Sequence, residues 1–471
     1  MSQEPQDTLP ARRSHYRWVV LSTIFVGYVI CMADRSNIGT ILPMMRGEFE
    51  ISNFTAGAVS SLFFLGYAIS QIPAGLVMGK KGTRTIVSVA ILGFAIVTFL
   101  IGHTTGALML LVLRLCLGLI EGATPVGMTS TINAWFPFKE KGTATGVYIA
   151  STMLAPIIAP ILSTHISSAY GWRQVFIWVS AIPGVIMAVV FFLVVRSHPW
   201  QSKHVNKAEL DHIKGDSGSA AAAAQDFGDM GILDRIIRLT KAKPFSTNRE
   251  VLKSWNIWGV TIAYFCMNNV LYGMITWIPS YLHAARGYDV ISMGWMSAMP
   301  YIGGFVGALL GGVVSDRVFH GRRKPTMMLT ALLTAVMMGL LLVTPDNSLL
   351  LALVLIFTGF FLNIGWSAFT SIAMNMTTTK TYPFAISIIN SGGNLGGFFS
   401  PMIVGAVLDL TGNYTMAFSY FVFILVAAFV ILFTLREFRP GSRLEVGGKD
   451  ATSETTASVS SQEPVAAASN R

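Results

Sequence analysis

The chain has 471 residues, 53% of them hydrophobic and only 12% charged, against about 25% charged in an average soluble domain. So little polar surface excludes a soluble globular protein, and apolar stretches of about 20 residues, enough to cross a bilayer as a helix, recur along most of the chain. The net charge of +10 would suggest nucleic acid in a soluble protein; here the basic residues collect in loops between apolar runs, as membrane topology requires, so no nucleic-acid partner is expected.

In chain order, residues 1–16 are polar and basic and read as a cytoplasmic tail. The apolar run after them is too long for a cleavable leader and is expected to serve as an uncleaved insertion signal. Twelve spans are predicted, at about 17–44, 55–79, 84–102, 106–132, 142–168, 173–195, 254–283, 291–315, 325–344, 348–377, 381–409 and 413–435. Arg12, Arg13, Lys80, Lys81, Lys139, Lys141, Arg322, Arg323 and Arg436 all fall on one side of this alternation. That bias predicts cytoplasmic N- and C-termini.

The expected organisation is an N-terminal six-helix bundle (17–196), a cytoplasmic linker (197–253), a C-terminal six-helix bundle (254–436) and a disordered cytoplasmic tail (437–471). Within the linker, an alanine run at 220–224 follows Ser217-Gly218-Ser219, a flexible composition. Ile232, Leu233, Ile236, Ile237 and Leu239 then alternate with Arg235 and Arg238 at helical spacing. They predict an amphipathic helix, either on the membrane surface or packed beneath the bundles. Cys31, Cys116 and Cys266 lie in apolar runs with no disulfide or metal spacing. No metal, cofactor or nucleophile–base set is expected, so the chain does not read as an enzyme.

Four charged residues stand inside the spans: Asp34 and Arg35 in the first, Arg114 and Glu121 in the fourth. Unpaired and facing lipid, they would cost on the order of 10 kcal/mol together, so they must face one another, water or a ligand. Arg114 and Glu121, two helical turns apart, share one face; Asp34 and Arg35 point about 100° apart. The expectation is that Arg114 sits near a carboxylate, that Arg35 turns to a substrate, and that Asp34 and then Glu121 carry a proton. A permanent structural network of the four charges is the competing reading. Spans seven to twelve offer neutral groups instead, including Asn269, Asn363, Trp366 and Asn390, suited to hydroxyls or to helix packing.

The halves repeat. Gly75 to Arg84, with Gly82, follows the second span, and Gly312-Val-Val-Ser-Asp316-Arg317 follows the eighth. Internal repetition of this kind belongs to transporters with a midplane substrate site. This glycine–basic turn resembles the best-known motif of the major facilitator superfamily, although Gly79 stands where an aspartate is usual. Asp34-Arg35, Tyr67, Arg114-x3-Gly118-x2-Glu121, Thr276-Trp-Ile-Pro279, Trp366 and Asn390 resemble its anion:cation symporter family.

The resemblance implies an all-α membrane protein of twelve transmembrane helices in two pseudo-symmetric bundles. It implies a transporter rather than an enzyme: a monomeric importer, in a bacterial inner membrane, of a small organic anion together with protons. The implied substrate is a sugar acid such as an aldonate, aldarate or hexuronate. Asp34 and Glu121 would couple protons, with Arg114 in their charge network. Arg35, Tyr67, Trp366, Asn390, Asn269 and Asn363 would bind substrate. Asp316, Arg317, Gly82 and Arg84 would form the gating motif. Met32 replaces a frequent tyrosine of sugar-acid symporters, and span five lacks a frequent glutamine, which keeps an aromatic or short-chain carboxylate open. A non-transporting membrane sensor on the same fold is the reading from a different class.

Overall fold

The computed structural model describes residues 14–215, 231, 234–235, 237–240, 244–378 and 381–438. Twelve long helices account for nearly all of them. We label them α1 (Tyr16–Phe49), α2 (Asn53–Lys81), α3 (Thr83–Gly102), α4 (Ala107–Trp135), α5 (Phe138–Tyr170) and α6 (Trp172–Val194). The second six are α7 (Trp255–Ala284), α8 (Val290–Val318), α9 (Arg323–Val343), α10 (Ser348–Met376), α11 (Tyr382–Thr411) and α12 (Tyr414–Thr434). Eleven are long and apolar enough to cross a membrane; α7 is as long, but its Asn256, Asn268 and Asn269 lower its hydropathy.

The alternation of twelve spans puts the start of α1 and the end of α12 at the same end of the bundle, called here the terminal end. Turns at the opposite, distal end are set by capping side chains. Ser52, Asp289, Asn347 and Asn413 each accept hydrogen bonds from the first free N–H groups of the helix that follows, the usual remedy for orphan donors. Two spans break midway, α4 at Gly122 and α10 at Gly365.

Side chains of α1 to α6 make two buried apolar clusters, and those of α7 to α12 make one, which also takes in Leu42 and Ala56. Within the first six, a side chain at Gly118 of α4 would overlap the Phe63 carbonyl of α2, and one at Gly66 the Leu115 carbonyl of α4. These glycines let α2 and α4 approach backbone to backbone.

The same device joins the two sets of helices, always toward the distal end. Gly57 of α2 lies against the Pro401 carbonyl of α11, Gly405 of α11 against Asn53, Gly39 of α1 against the Ile275 carbonyl of α7, and Gly294 of α8 against Pro160 and Thr164 of α5. Asp409 of α11 adds a polar clasp: its carboxylate accepts from the backbone N–H of Asn53 and of Phe54, each at 2.8 Å, at the start of α2.

At the terminal end the linker is pinned in two places. Glu209, on the short helix Lys207–Gly215, accepts from Arg17 at 3.0 Å, and Arg17 also pairs with Glu140 of α5 at 2.8 Å. Beyond the middle of the linker, Asp234 pairs with Arg322 at 2.6 Å. Lys324 donates to the carbonyls of Ile237, Phe433 and Leu435, and buried Glu437 accepts from the backbone of Arg323 and Lys324. Ile237 is buried and Arg235 exposed. The alanine run at 220–224, Ile232, Leu233 and Ile236 of the expected amphipathic helix, and the tail from 439 lie outside the described residues.

Candidate functional site

A cavity of about 150 Å³ lies between the two sets of helices, on the terminal side of the distal seams. On α1 it is lined by Tyr28, Met32, Arg35 and Ser36, a spacing of four, seven and eight residues that defines one helical face. Gly39, one turn further, is already packed on α7. Tyr67 of α2 and Thr152, Met153 and Pro156 of α5 complete that wall. The facing wall is Leu271, Tyr272 and Ile275 of α7, Tyr301 of α8, and Asn363 and Trp366 of α10. Asn363 and Trp366 flank the α10 break at Gly365, so the break turns both toward the cavity.

The four buried charges form two ion pairs. Arg35 Nη2 lies 2.7 Å and Nε 3.1 Å from Glu121 Oε1. Arg114 Nη1 lies 2.7 Å from Asp34 Oδ2, and its Nε donates to the Val59 carbonyl at 3.2 Å. All four residues are at most 4% exposed. The ring of Phe63 stands between the pairs, its centroid 4.9 Å from the Arg35 guanidinium carbon and 5.0 Å from that of Arg114. Arg35 also lies over Tyr67, at 4.4 Å. Such cation–π contacts partly replace lost hydration.

Each carboxylate spends one oxygen on its arginine. Asp34 Oδ1 and Glu121 Oε2 are buried with no hydrogen-bond partner among the described residues. An acceptor left bare in this way is costly while ionised and has room for a proton. The four charges sum to zero, so any further ion brought among them must be compensated.

Of the residues expected to bind substrate, Arg35, Tyr67, Asn363 and Trp366 line one cavity. Asn269 is fully buried and faces Tyr420 of α12, and Asn390 is exposed on α11; neither lines the cavity. Asp34, Arg114 and Glu121 sit behind Arg35. In the expected gating motif, Asp316 pairs with Arg323 at 2.7 Å and Arg317 is exposed. Gly82 takes a positive φ of 81° in the turn between α2 and α3, and Arg84 donates to the Phe192 carbonyl at 2.8 Å. Those contacts stay within α1 to α6 or within α7 to α12.

Several participants escaped the sequence reading. Tyr28, Ser36, Thr152, Tyr272 and Tyr301 line the cavity, and Phe63 separates the ion pairs. Tyr28 was accessible from its register with Arg35 on α1. Tyr272 and Tyr301 carry no such signal, because only the pairing of the two bundles turns them toward Arg35.

A twelve-helix bundle with charges paired at its midplane beside a central cavity defines a multi-pass membrane carrier. The family model described as Major Facilitator Superfamily matches residues 24–319 and 285–467, and the chain belongs to that family. It is 26% identical over 428 residues to the "Probable galactarate/D-glucarate transporter GudP" of Bacillus subtilis, covering 88% of this chain and 91% of that one. It is 29% identical over 416 residues to the "Probable sulfoacetate transporter SauU" of Cupriavidus necator (86% and 91% covered) and 28% identical over 405 residues to the "D-galactonate transporter" of Escherichia coli (84% and 89%). Among solved structures, a bacterial homologue of the human lysosomal transporter Spinster, in an inward-facing and occupied conformation, superposes with a TM-score of 0.68 at 16% identity. It covers 89% of this chain and 96% of its own, a likeness of fold alone. The protein is a multi-pass membrane transporter of this family.

Proposed function

We propose that this transporter is a proton-coupled symporter that imports a sugar acid across a bacterial inner membrane by alternating access, with both termini in the cytoplasm. The observation that carries this reading is the double role of Arg35: one guanidinium both lines the cavity and pairs with buried Glu121. Arginine stays charged and offers a planar fork matched to a carboxylate. While Glu121 is ionised it occupies that fork. A proton on Glu121 releases the fork to the substrate carboxylate, and the total charge of the buried group returns to zero. Proton and anion are thereby favoured together and disfavoured singly, which is what symport requires.

Asp34 and Arg114 repeat the arrangement one layer behind, without a side chain in the cavity. Their place supports Glu121 as the first coupling group and Asp34 as the second, the reverse of the order expected from the sequence. Asn363, Trp366 and Tyr301 on the facing wall supply donors and an apolar plate for a polyol chain. Met32, Met153 and Leu271 on the same cavity favour a second reading, an aromatic or short-chain carboxylate. The seams lie toward the distal end and the cavity on their terminal side, which supports reading this arrangement as one that faces the cytoplasm.

The test is uptake by purified protein in proteoliposomes. Wild type should concentrate a sugar acid when the inside is alkaline, whereas Glu121→Gln should lose that accumulation yet still exchange substrate between equal pools. Accumulation by Glu121→Gln as strong as wild type would remove Glu121 from coupling. A membrane sensor would bind the acid and accumulate none.

A further inference from the structure

We infer that the site accepts acids carrying one anionic group and rejects those carrying two, with Arg35 and Ser36 together forming the only anion-head position. This rests on the carrier reading above and deepens it. Among the described residues, Arg35 is the only cationic side chain that lines the cavity. Next to it, Ser36 is 3% exposed, lines the cavity, and has a hydroxyl with no hydrogen-bond partner among the described residues. A fork and an unused hydroxyl on adjacent residues make a three-donor seat for one carboxylate.

A second anionic group would have to find its partner elsewhere, and the candidates fail one by one. Arg114 is 1% exposed, committed to Asp34 and Val59, and screened from Arg35 by the Phe63 ring. Protonating Asp34 would free charge on Arg114 but would not bring it into the cavity. Arg46 lies beyond the Gly39 seam, beside Tyr414. On the facing wall, the Lys, Arg, Asp and Glu residues of α7 to α12 are confined to the helix ends: Asp316, Arg317, Arg323 and Lys324 at the terminal end, Asp409 at the distal end. The polar groups that wall presents to the cavity are phenol, indole and amide, which suit hydroxyl groups and cannot neutralise an anion. A carboxylate placed there would be a lone ion at membrane depth.

The experiment compares acids that share a skeleton and differ by one carboxylate. Galactonate against galactarate tests a polyol chain, and benzoate against terephthalate tests an aromatic one, each in proteoliposomes of the full chain with an alkaline interior. In whichever pair is carried, the diacid should be taken up about 100-fold less efficiently than the monoacid, the factor a lone charge at membrane depth implies. Ser36→Ala should raise the KM for the monoacid about tenfold, the value of a hydrogen bond to a charged group, with the pH-gradient dependence unchanged. Equal uptake of mono- and diacid would overturn the inference and leave the symporter reading intact. An unchanged KM in Ser36→Ala would remove Ser36 from the seat. Absence of accumulation for all four acids would overturn the proposed proton-driven uptake of sugar and aromatic acids, and the charge selectivity with it.

Discussion

The two six-helix sets share an architecture but divide the polar chemistry between them. In α1 to α6 the midplane holds two buried ion pairs around Phe63. In α7 to α12 the corresponding depth holds tyrosine, asparagine and tryptophan. Charges respond to protons and to one another over distance, whereas neutral donors respond only to what touches them. The first set is therefore suited to sensing and coupling, and the second to shaping the wall that the rest of the substrate meets. If this division holds, substitutions on the two sides of one small cavity should fail in different ways.

The largest effect is expected where an ion is stranded. Arg114→Met leaves Asp34 ionised and unpaired in the bundle interior, which should cost about 3–5 kcal/mol of stability. In detergent this would appear as a lowered unfolding temperature and poor yield. The double variant Asp34→Asn with Arg114→Met removes both charges together and should recover most of the loss. If Arg114→Met is as stable as wild type, the pair is not the closed unit described here, and the contrast between charged and neutral halves loses its basis.

A smaller effect should follow on the neutral wall. Trp366 is packed edge-on against Tyr264, at 5.3 Å between ring centroids, and presents its remaining surface to the cavity. Trp366→Ala should raise KM about tenfold, the value of roughly 1.4 kcal/mol of lost contact, while the dependence of uptake on the pH gradient stays as in wild type. A variant at this position that uncouples uptake from the gradient would show that coupling is shared across the cavity.

The same division explains what could be read from the amino-acid sequence. Charges within apolar runs are conspicuous because the bilayer penalises them, so Asp34, Arg35, Arg114 and Glu121 stood out, as did the twelve-span fold. Which arginine pairs with which carboxylate was not legible. It depends on how α1 and α4 are each rotated within the bundle, and α4 is set by glycine contacts with α2 such as Gly118 on Phe63. Neutral donors carry no such flag: an asparagine that bonds within the bundle and one that lines a cavity look alike. Asn269 and Asn390 are therefore indistinguishable from Asn363 in the sequence, and Tyr301 carries no signal of its own.

The smallest expected effect lies outside the membrane, where charge should matter least. Glu140 precedes the apolar span of α5, which begins at Thr143, and its carboxylate side chain is 26% exposed. Hydrogen bonds from Arg17 hold its pKa below the usual 4.5, assisted by His212 and opposed by partial burial. A carboxylate with a lowered folded-state pKa contributes stability that is fully present above the unfolded value of 4.5 and is lost as pH falls through the folded value. Glu140→Gln should therefore lower the unfolding temperature slightly at pH 7, by the equivalent of about 1 kcal/mol or less for a partly exposed pair. As pH falls below 4.5 and through the lowered folded value, the gap between variant and wild type should close. A gap that stays constant down to pH 3 would mean that Arg17 gains nothing from this partner that depends on its charge, and that among its two carboxylate partners Glu209 alone holds it.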